Sequence, residues 1–117
     1  RTAFPGDIDT PMAGLACGEP SMLASQELEC AVAALMAIPD EAALACMRLL
    51  AQHGIVAGES GAAGLAGCLL AVADPAARAS LGLDAHSRVL AFSTEGATDP
   101  EIYARVVAVP PSDSRGG

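Results

Sequence analysis

An α/β fold of mostly parallel strands flanked by helices is what this 117-residue sequence predicts, on three observations. Short apolar or β-branched runs alternate with helical stretches, and turn or capping residues mark each change. Hydrophobic residues make up 52% of the chain but aromatics only 3%, so the core must be built from Ala, Leu, Val and Met. Small side chains of this kind suit the close packing of helix on sheet. The length allows one domain or a piece of one, and is too short for two ordinary domains.

The elements follow in order. Residues 1–26 mix Pro, Gly and Asp at turn spacing ("FPGDIDTPMAGLACGEPS") and read as an irregular arrival segment. The run "LECAVAALMAI", residues 28–38, is continuously apolar, and its length leaves buried strand and helix both open; in the predicted order it stands as a strand. Pro39 suits the first turn of a helix and Asp40 and Glu41 suit its positive end, so "PDEAALACMRLLAQHG" is a helix stopped at Gly54. Ala43, Cys46, Met47 and Leu50 share one face of it.

"IVA", residues 55–57, is a short extended piece, and Gly61 to Ala73 is a helix of small residues. "DPAARASLG" is a second short helix, started by Asp74-Pro75 and stopped at Gly82. "RVLAFST", residues 88–94, is β-rich and bounded by turn signals, the pattern of a buried strand. "TDPEIYARVV" starts a last helix, capped by Thr98 or Asp99 with Pro100 in the first turn. Residues 1–109 are thus expected to be folded chain, and 110–117 ("PPSDSRGG") a disordered tail.

Charge and cysteine usage exclude several functions. A net charge of −8 argues against nucleic acid, because phosphate neutralisation needs clustered cations. The six basic residues are all arginines (Arg1, Arg48, Arg78, Arg88, Arg105 and Arg115), so the chain holds no lysine and supplies no Schiff-base or P-loop amine. Cys17, Cys30, Cys46 and Cys68 have neither C-x-x-C spacing nor a zinc-spaced histidine, and are expected to be buried free thiols rather than metal ligands. No apolar run of membrane-spanning length lacks a charge or turn signal, and no signal peptide is recognisable, so a soluble cytoplasmic protein without membrane contact is expected.

Chemistry is expected at the strands' carboxyl ends. Two loops there carry polar groups: Gly58-Glu59-Ser60-Gly61 and Ser93-Thr94-Glu95-Gly96. If their strands are parallel neighbours, both loops open on one edge and form one site. The spacing of Gly58, Gly61, Gly64 and Gly67 matches no phosphate-binding motif, and Glu59 would repel an anion. Gly58 and Gly61 are expected to shape the turn, and Gly64 and Gly67 to let the helix press on a neighbour. Ser93 and Thr94 are turn formers or hydrogen-bond partners for a ring nitrogen. His53 and His86 fit capping or surface positions better than catalysis, and Tyr103 is a packing residue.

"MAGLACGEPS", "GIVAGESGAAGLAG" and "VLAFSTEGATDPEIYARVV", in this order and spacing, resemble the C-terminal part of the diaminopropionate ammonia-lyases. These are pyridoxal-phosphate enzymes built like the tryptophan synthase β chain. The resemblance runs from about Asp9 to Val107, and "AGLACGEP" with "GESGA" and "STEG" carries it. It implies a three-layer α/β/α arrangement of fold type II, of which this chain is the last third of the larger cofactor domain. It also implies elimination of ammonia from 2,3-diaminopropionate, then hydrolysis to pyruvate and a second ammonia, with the pyridoxal ring as electron sink.

Carried over by residue, the resemblance implies that Ser93 faces the pyridine nitrogen, with Thr94 as the alternative in the same loop. Glu59 takes the acidic position near the ring, and Ala16 to Pro20 line the approach. The family's Schiff-base lysine, phosphate loop and acid/base carboxylates lie upstream of what is present here. The opening "RTAFPGDI" is unlike a natural start. The expectation is a C-terminal segment, inactive alone, of a homodimeric enzyme with an amino-acid substrate. The competing expectations are a segment of a threonine synthase or serine/threonine dehydratase relative, disfavoured by "ACGEP" and "STEG", and a non-catalytic α/β domain that binds a partner.

Overall fold

A computed structural model describes residues 19–108. The predicted tail 110–117, most of the irregular segment 1–26 and the greater part of Ala16–Pro20 lie outside the described residues. Among the described residues, five helices make up the regular structure: α1 (Met22–Ala31), α2 (Asp40–Gln52), α3 (Glu59–Ala73), α4 (Pro75–Leu81) and α5 (Pro100–Ala108). No strand forms among them.

The caps explain where the helices start and stop. Asp74 Oδ1 accepts from the Ala76 N–H at 3.1 Å and Pro75 opens α4, while Gly82 closes it in the left-handed region at φ 68°. Asp99 Oδ1 accepts from the Ile102 N–H at 3.1 Å, which makes Asp99 rather than Thr98 the cap of α5. Asp40 and Glu41 occupy the first turn of α2, and Gly54 turns the chain away at φ 74° just after its end. Pro39 stands one position earlier than expected, as the extended residue before the helix.

α2 and α3 pack against each other, α5 lies against α2 and α4 against α3. Cys46, Met47, Ala57, Ala62 and Ala66 form the centre, with Leu50, Tyr103 and Val106 packed around it. The predicted face of α2 is therefore the buried one, and Tyr103 is the packing residue expected. Met47, fully buried, is the largest side chain with no exposure.

Arg48 ties α5 to this core: its Nε donates to the Val106 carbonyl at 2.8 Å in a part-buried position. That bond satisfies a carbonyl in the last turn of α5 with a cation, the favourable sign for a helix C-terminus. Arg48→Ala is expected to lose about 1–2 kcal/mol, read as faster amide exchange in α5 than in α3. Equal acceleration in both helices would show that the bond does not act on α5.

Burial pushes the Cys46 thiol up from its usual 9.0, because desolvation penalises the thiolate. A folded pKa above the unfolded one means that this group's stabilisation is complete below about pH 9 and is lost as pH rises through the folded value. Cys46→Ala is expected to flatten the alkaline fall in stability measured by urea titration. Cys30, which is exposed rather than buried as expected, should react with a thiol reagent while Cys46 stays protected until the chain opens.

The strand expectations need correction. The run 28–38 divides: its first residues complete α1, which Ser21 caps through its Oγ, 3.4 Å from the Ala24 N–H, and Val32 then leaves the helix at φ −84°, ψ 120°. Residues 33–38, 55–57 and 88–94 are non-helical, as a strand requires, but no described segment forms a ladder with them. The physical reason is that a strand exists only with a neighbour, and none is supplied within residues 19–108. These segments leave large side chains in solvent: Leu35 is 91% exposed, Leu90 79% and Phe92 74%. No single helix among the described residues is long and apolar enough to cross a membrane.

Candidate functional site

The two loops singled out in the sequence do meet. The Gly58 N–H donates to the Glu95 carbonyl at 2.9 Å, joining the entry to α3 with the turn that follows residues 88–94. Both glycines of the first loop are buried against the second. A Cβ on Gly58 would overlap the Gly96 carbonyl and lie 2.7 Å from Glu95 Oε1. A Cβ on Gly61 would overlap the Glu95 carbonyl and lie 3.1 Å from Ser93 Oγ.

Glycine is thus required here for close approach, since both residues keep ordinary negative φ. The other two glycines of the series behave differently. A Cβ on Gly64 would have nothing within 4 Å, and one on Gly67 would make ordinary contacts with Ile38 and Met36 at 3.7 and 3.9 Å. The expected tight packing of Gly64 is therefore corrected: the close approach belongs to Gly58 and Gly61.

α3 starts two residues earlier than the sequence pattern indicated, at Glu59, so Glu59 and Ser60 belong to its first turn. Gly58 is extended and offers no side-chain cap, which leaves the first N–H groups of α3 without a capping side chain. Glu59 is only 8% exposed and sits where the helix dipole is positive, the complementary place for a carboxylate. Ser60 is 7% exposed, and its Oγ has no hydrogen-bond partner although it is shut off from solvent. An unpaired buried hydroxyl costs about 1–3 kcal/mol, so Ser60 Oγ is a destabilising element of this corner.

Ser93 and Thr94 are exposed, and no hydrogen bond holds either hydroxyl among the described residues. Ser93 Oγ lies 3.1 Å from where a Cβ on Gly61 would stand, in the first turn of α3. Ser93 and Glu59 are thereby drawn to one corner by the loop pair, with Thr94 next in the chain. His53 Nδ1 is instead 2.9 Å from the Leu49 carbonyl of its own helix. His86 lies in an exposed turn, where its N–H donates to Asp84 Oδ1 at 2.8 Å. Both histidines have local roles, as the sequence led one to expect.

Sequence reasoning missed two participants. Glu95 supplies the carbonyl that fastens the loops, and Ser60 is the orphaned hydroxyl. The glycines three apart were the available signal, but what they make room for lies far along the chain, as the Gly58 and Glu95 pair shows. An apolar groove of about 460 Å³ lies elsewhere, lined by Met36, Ile38, Gly64, Gly67 and Leu81. The loop pair, residues 58–61 against residues 93–96, forms a wall of the chain.

In donor chemistry this wall fits the ring of a pyridoxal cofactor. Neutral hydroxyls such as those of Ser93 and Thr94 can donate to a pyridine nitrogen. It does not fit the cofactor's tether, because the chain has no lysine.

The family model for pyridoxal-phosphate dependent enzymes matches residues 2–95. Diaminopropionate ammonia-lyase of Escherichia coli (strain K12) is 42% identical over 111 residues, covering 87% of this chain and 28% of the lyase. The diaminopropionate ammonia-lyase of Salmonella typhimurium (strain LT2) is 38% identical over 114 residues, with the same coverage of 87% and 28%. The chain therefore spans under a third of the length of these relatives. No solved structure matches it.

Proposed function

The chain belongs to the pyridoxal-phosphate dependent enzymes, and from that membership we propose that it is the C-terminal segment of an ammonia-lyase that converts 2,3-diaminopropionate to pyruvate and ammonia. The observation that carries the reading is the fastened loop pair, in which Gly58 bonds Glu95 and Gly61 makes room for Ser93. In this reading residues 1–109 are part of a fold type II cofactor domain and 110–117 a disordered tail. The complete enzyme is a cytoplasmic homodimer that binds neither nucleic acid nor membrane.

Pyridoxal phosphate, when bound, supplies the electron sink for the elimination. This chain's residues hold and orient. Ser93 would hold the ring nitrogen by a hydrogen bond from its hydroxyl, with Thr94 as the other donor of the same loop; either would leave the nitrogen largely uncharged, because a hydroxyl keeps its proton. Glu59, in the first turn of α3, would supply a carboxylate near the ring. The lysine that tethers the cofactor comes from outside these residues, so the chain alone is inactive.

Borohydride reduction with pyridoxal phosphate, followed by peptide mass mapping, tests this. The 117-residue chain alone should carry no internal pyridoxyl group. A chimera in which the chain replaces its matching region in the E. coli lyase should carry one, on a lysine of the E. coli portion. A pyridoxyl group on an internal residue of this chain would refute the assignment.

A further inference from the structure

We propose that Glu59 sets the substrate specificity of this site: its carboxylate takes the side-chain ammonium of 2,3-diaminopropionate, the group that serine and threonine lack. The inference rests on the reading of the chain as a lyase segment and deepens it by naming the residue that selects the amino acid.

Burial without a partner carries it. Glu59 is only 8% exposed, yet no hydrogen bond or ion pair engages its carboxylate among the described residues. The chain is buried continuously from Ala57 to Ala62, so Glu59 lies within its fold and not on an uncovered face. A carboxylate taken out of water needs a cation or hydrogen-bond donors in exchange. Ser60 Oγ is sealed from solvent; the Glu59 oxygens, equally without a partner, are not. The carboxylate therefore stands at a narrow opening that a small ligand can reach.

Charge decides what that ligand is. A carboxylate repels an anion. The N-terminal end of α3 brings roughly half a positive charge, which opposes a cation, but the carboxylate brings a full negative one, so the opening favours an ammonium. Arg48 and Arg105 are engaged elsewhere, on the Val106 carbonyl and on Glu101.

Substrate chemistry names the ammonium. Diaminopropionate, for which the relatives are named, carries two amino groups. The carbonyl of pyridoxal phosphate engages one amine of any amino acid. The second sets diaminopropionate apart from serine and threonine, which carry a hydroxyl in its place.

Placement agrees. Ser93 lies by Gly61, and position 59 is two residues back, about 200° around the helix. The nitrogen of a pyridoxal ring and the carbon that carries the amino acid are likewise at opposite ends of the ring. A ligand across the end of α3, with its nitrogen at Ser93, has its amino acid on the Glu59 side.

The test uses the chimera with the E. coli lyase and two substrates, 2,3-diaminopropionate and 3-chloroalanine, whose β-substituent is uncharged. Glu59→Gln should raise KM for diaminopropionate roughly tenfold or more and leave KM for 3-chloroalanine within about twofold. The apparent Kd for diaminopropionate, read from the cofactor's absorbance change before turnover, should rise by the same factor. Glu41→Gln, which removes an exposed carboxylate from the first turn of α2, should change neither.

Equal losses on both substrates, or an unchanged KM and Kd, overturn the inference and leave the lyase reading standing. A change in cofactor absorbance before substrate is added, with KM unchanged, assigns Glu59 to a cation of the lyase portion and overturns it as well. Should Glu59→Gln not fold, Glu59→Asp, which keeps the charge on a shorter stem, decides by the same one-sided rise in KM. An unaltered chimera that acts on 3-chloroalanine but not on diaminopropionate overturns the lyase reading and this inference with it.

Discussion

Gly61→Ala is expected to cost about 2–3 kcal/mol of stability and to separate the two loops. The added methyl would overlap the Glu95 carbonyl and crowd the Glu95 N–H and Ser93 Oγ, both at 3.1 Å. Two of those neighbours are backbone, so the clash is relieved only by moving the loop and breaking the Gly58 to Glu95 hydrogen bond. Gly64→Ala, one turn further along α3, is the control. Its methyl meets nothing within 4 Å, so it should stabilise the helix by about 0.5–1 kcal/mol. Urea unfolding of both variants measures the pair. Equal effects would mean that the loops are not in contact.

Met47→Ala is the largest change expected in the core, a loss of about 2–4 kcal/mol. Met47 is fully buried, and the buried residues clustered with it, Cys46, Ala57, Ala62 and Ala66, are small and have little reach to close the space. Against the 5–15 kcal/mol of an ordinary domain, roughly, such a loss threatens folding outright. Met47→Leu keeps the volume and should cost less than about 1.5 kcal/mol. Thermal melts of the two separate lost packing from a general intolerance of substitution; similar melting points would place Met47 outside the cooperative core.

What the sequence made legible was local. Pro39, Asp74, Gly82 and Asp99 mark helix ends by conformational preference or by bonding backbone groups nearby, and those ends stand close to where they were placed. The apolar face of α2 follows from its period. Strands differ because their pairing is not local: "RVLAFST" has the composition of a buried strand, yet no described residue pairs with it. The run 28–38 holds a helix end and a non-helical stretch, which a continuous apolar pattern cannot divide.

The site was half legible for the same reason. Ser93, Thr94 and Glu59 were identifiable as polar groups at turn positions, and their convergence depends on a contact between residues far apart in sequence. Glu95 had no signal of its own, since its part is played by a backbone carbonyl that any residue could provide. Ser60 was visible only as one polar residue among small ones; its isolation emerges from packing.

In the proposed reading, this chain supplies the C-terminal part of a diaminopropionate ammonia-lyase. Ammonia release by the chimera, in which the 117 residues replace the matching region of the E. coli lyase, tests it most directly. Pyruvate and ammonia are expected from 2,3-diaminopropionate at a rate well above that from serine or threonine, with a marked loss in a Ser93→Ala/Thr94→Val double variant that still folds. A chimera that folds and holds pyridoxal phosphate, yet releases no ammonia or prefers serine or threonine, would contradict it.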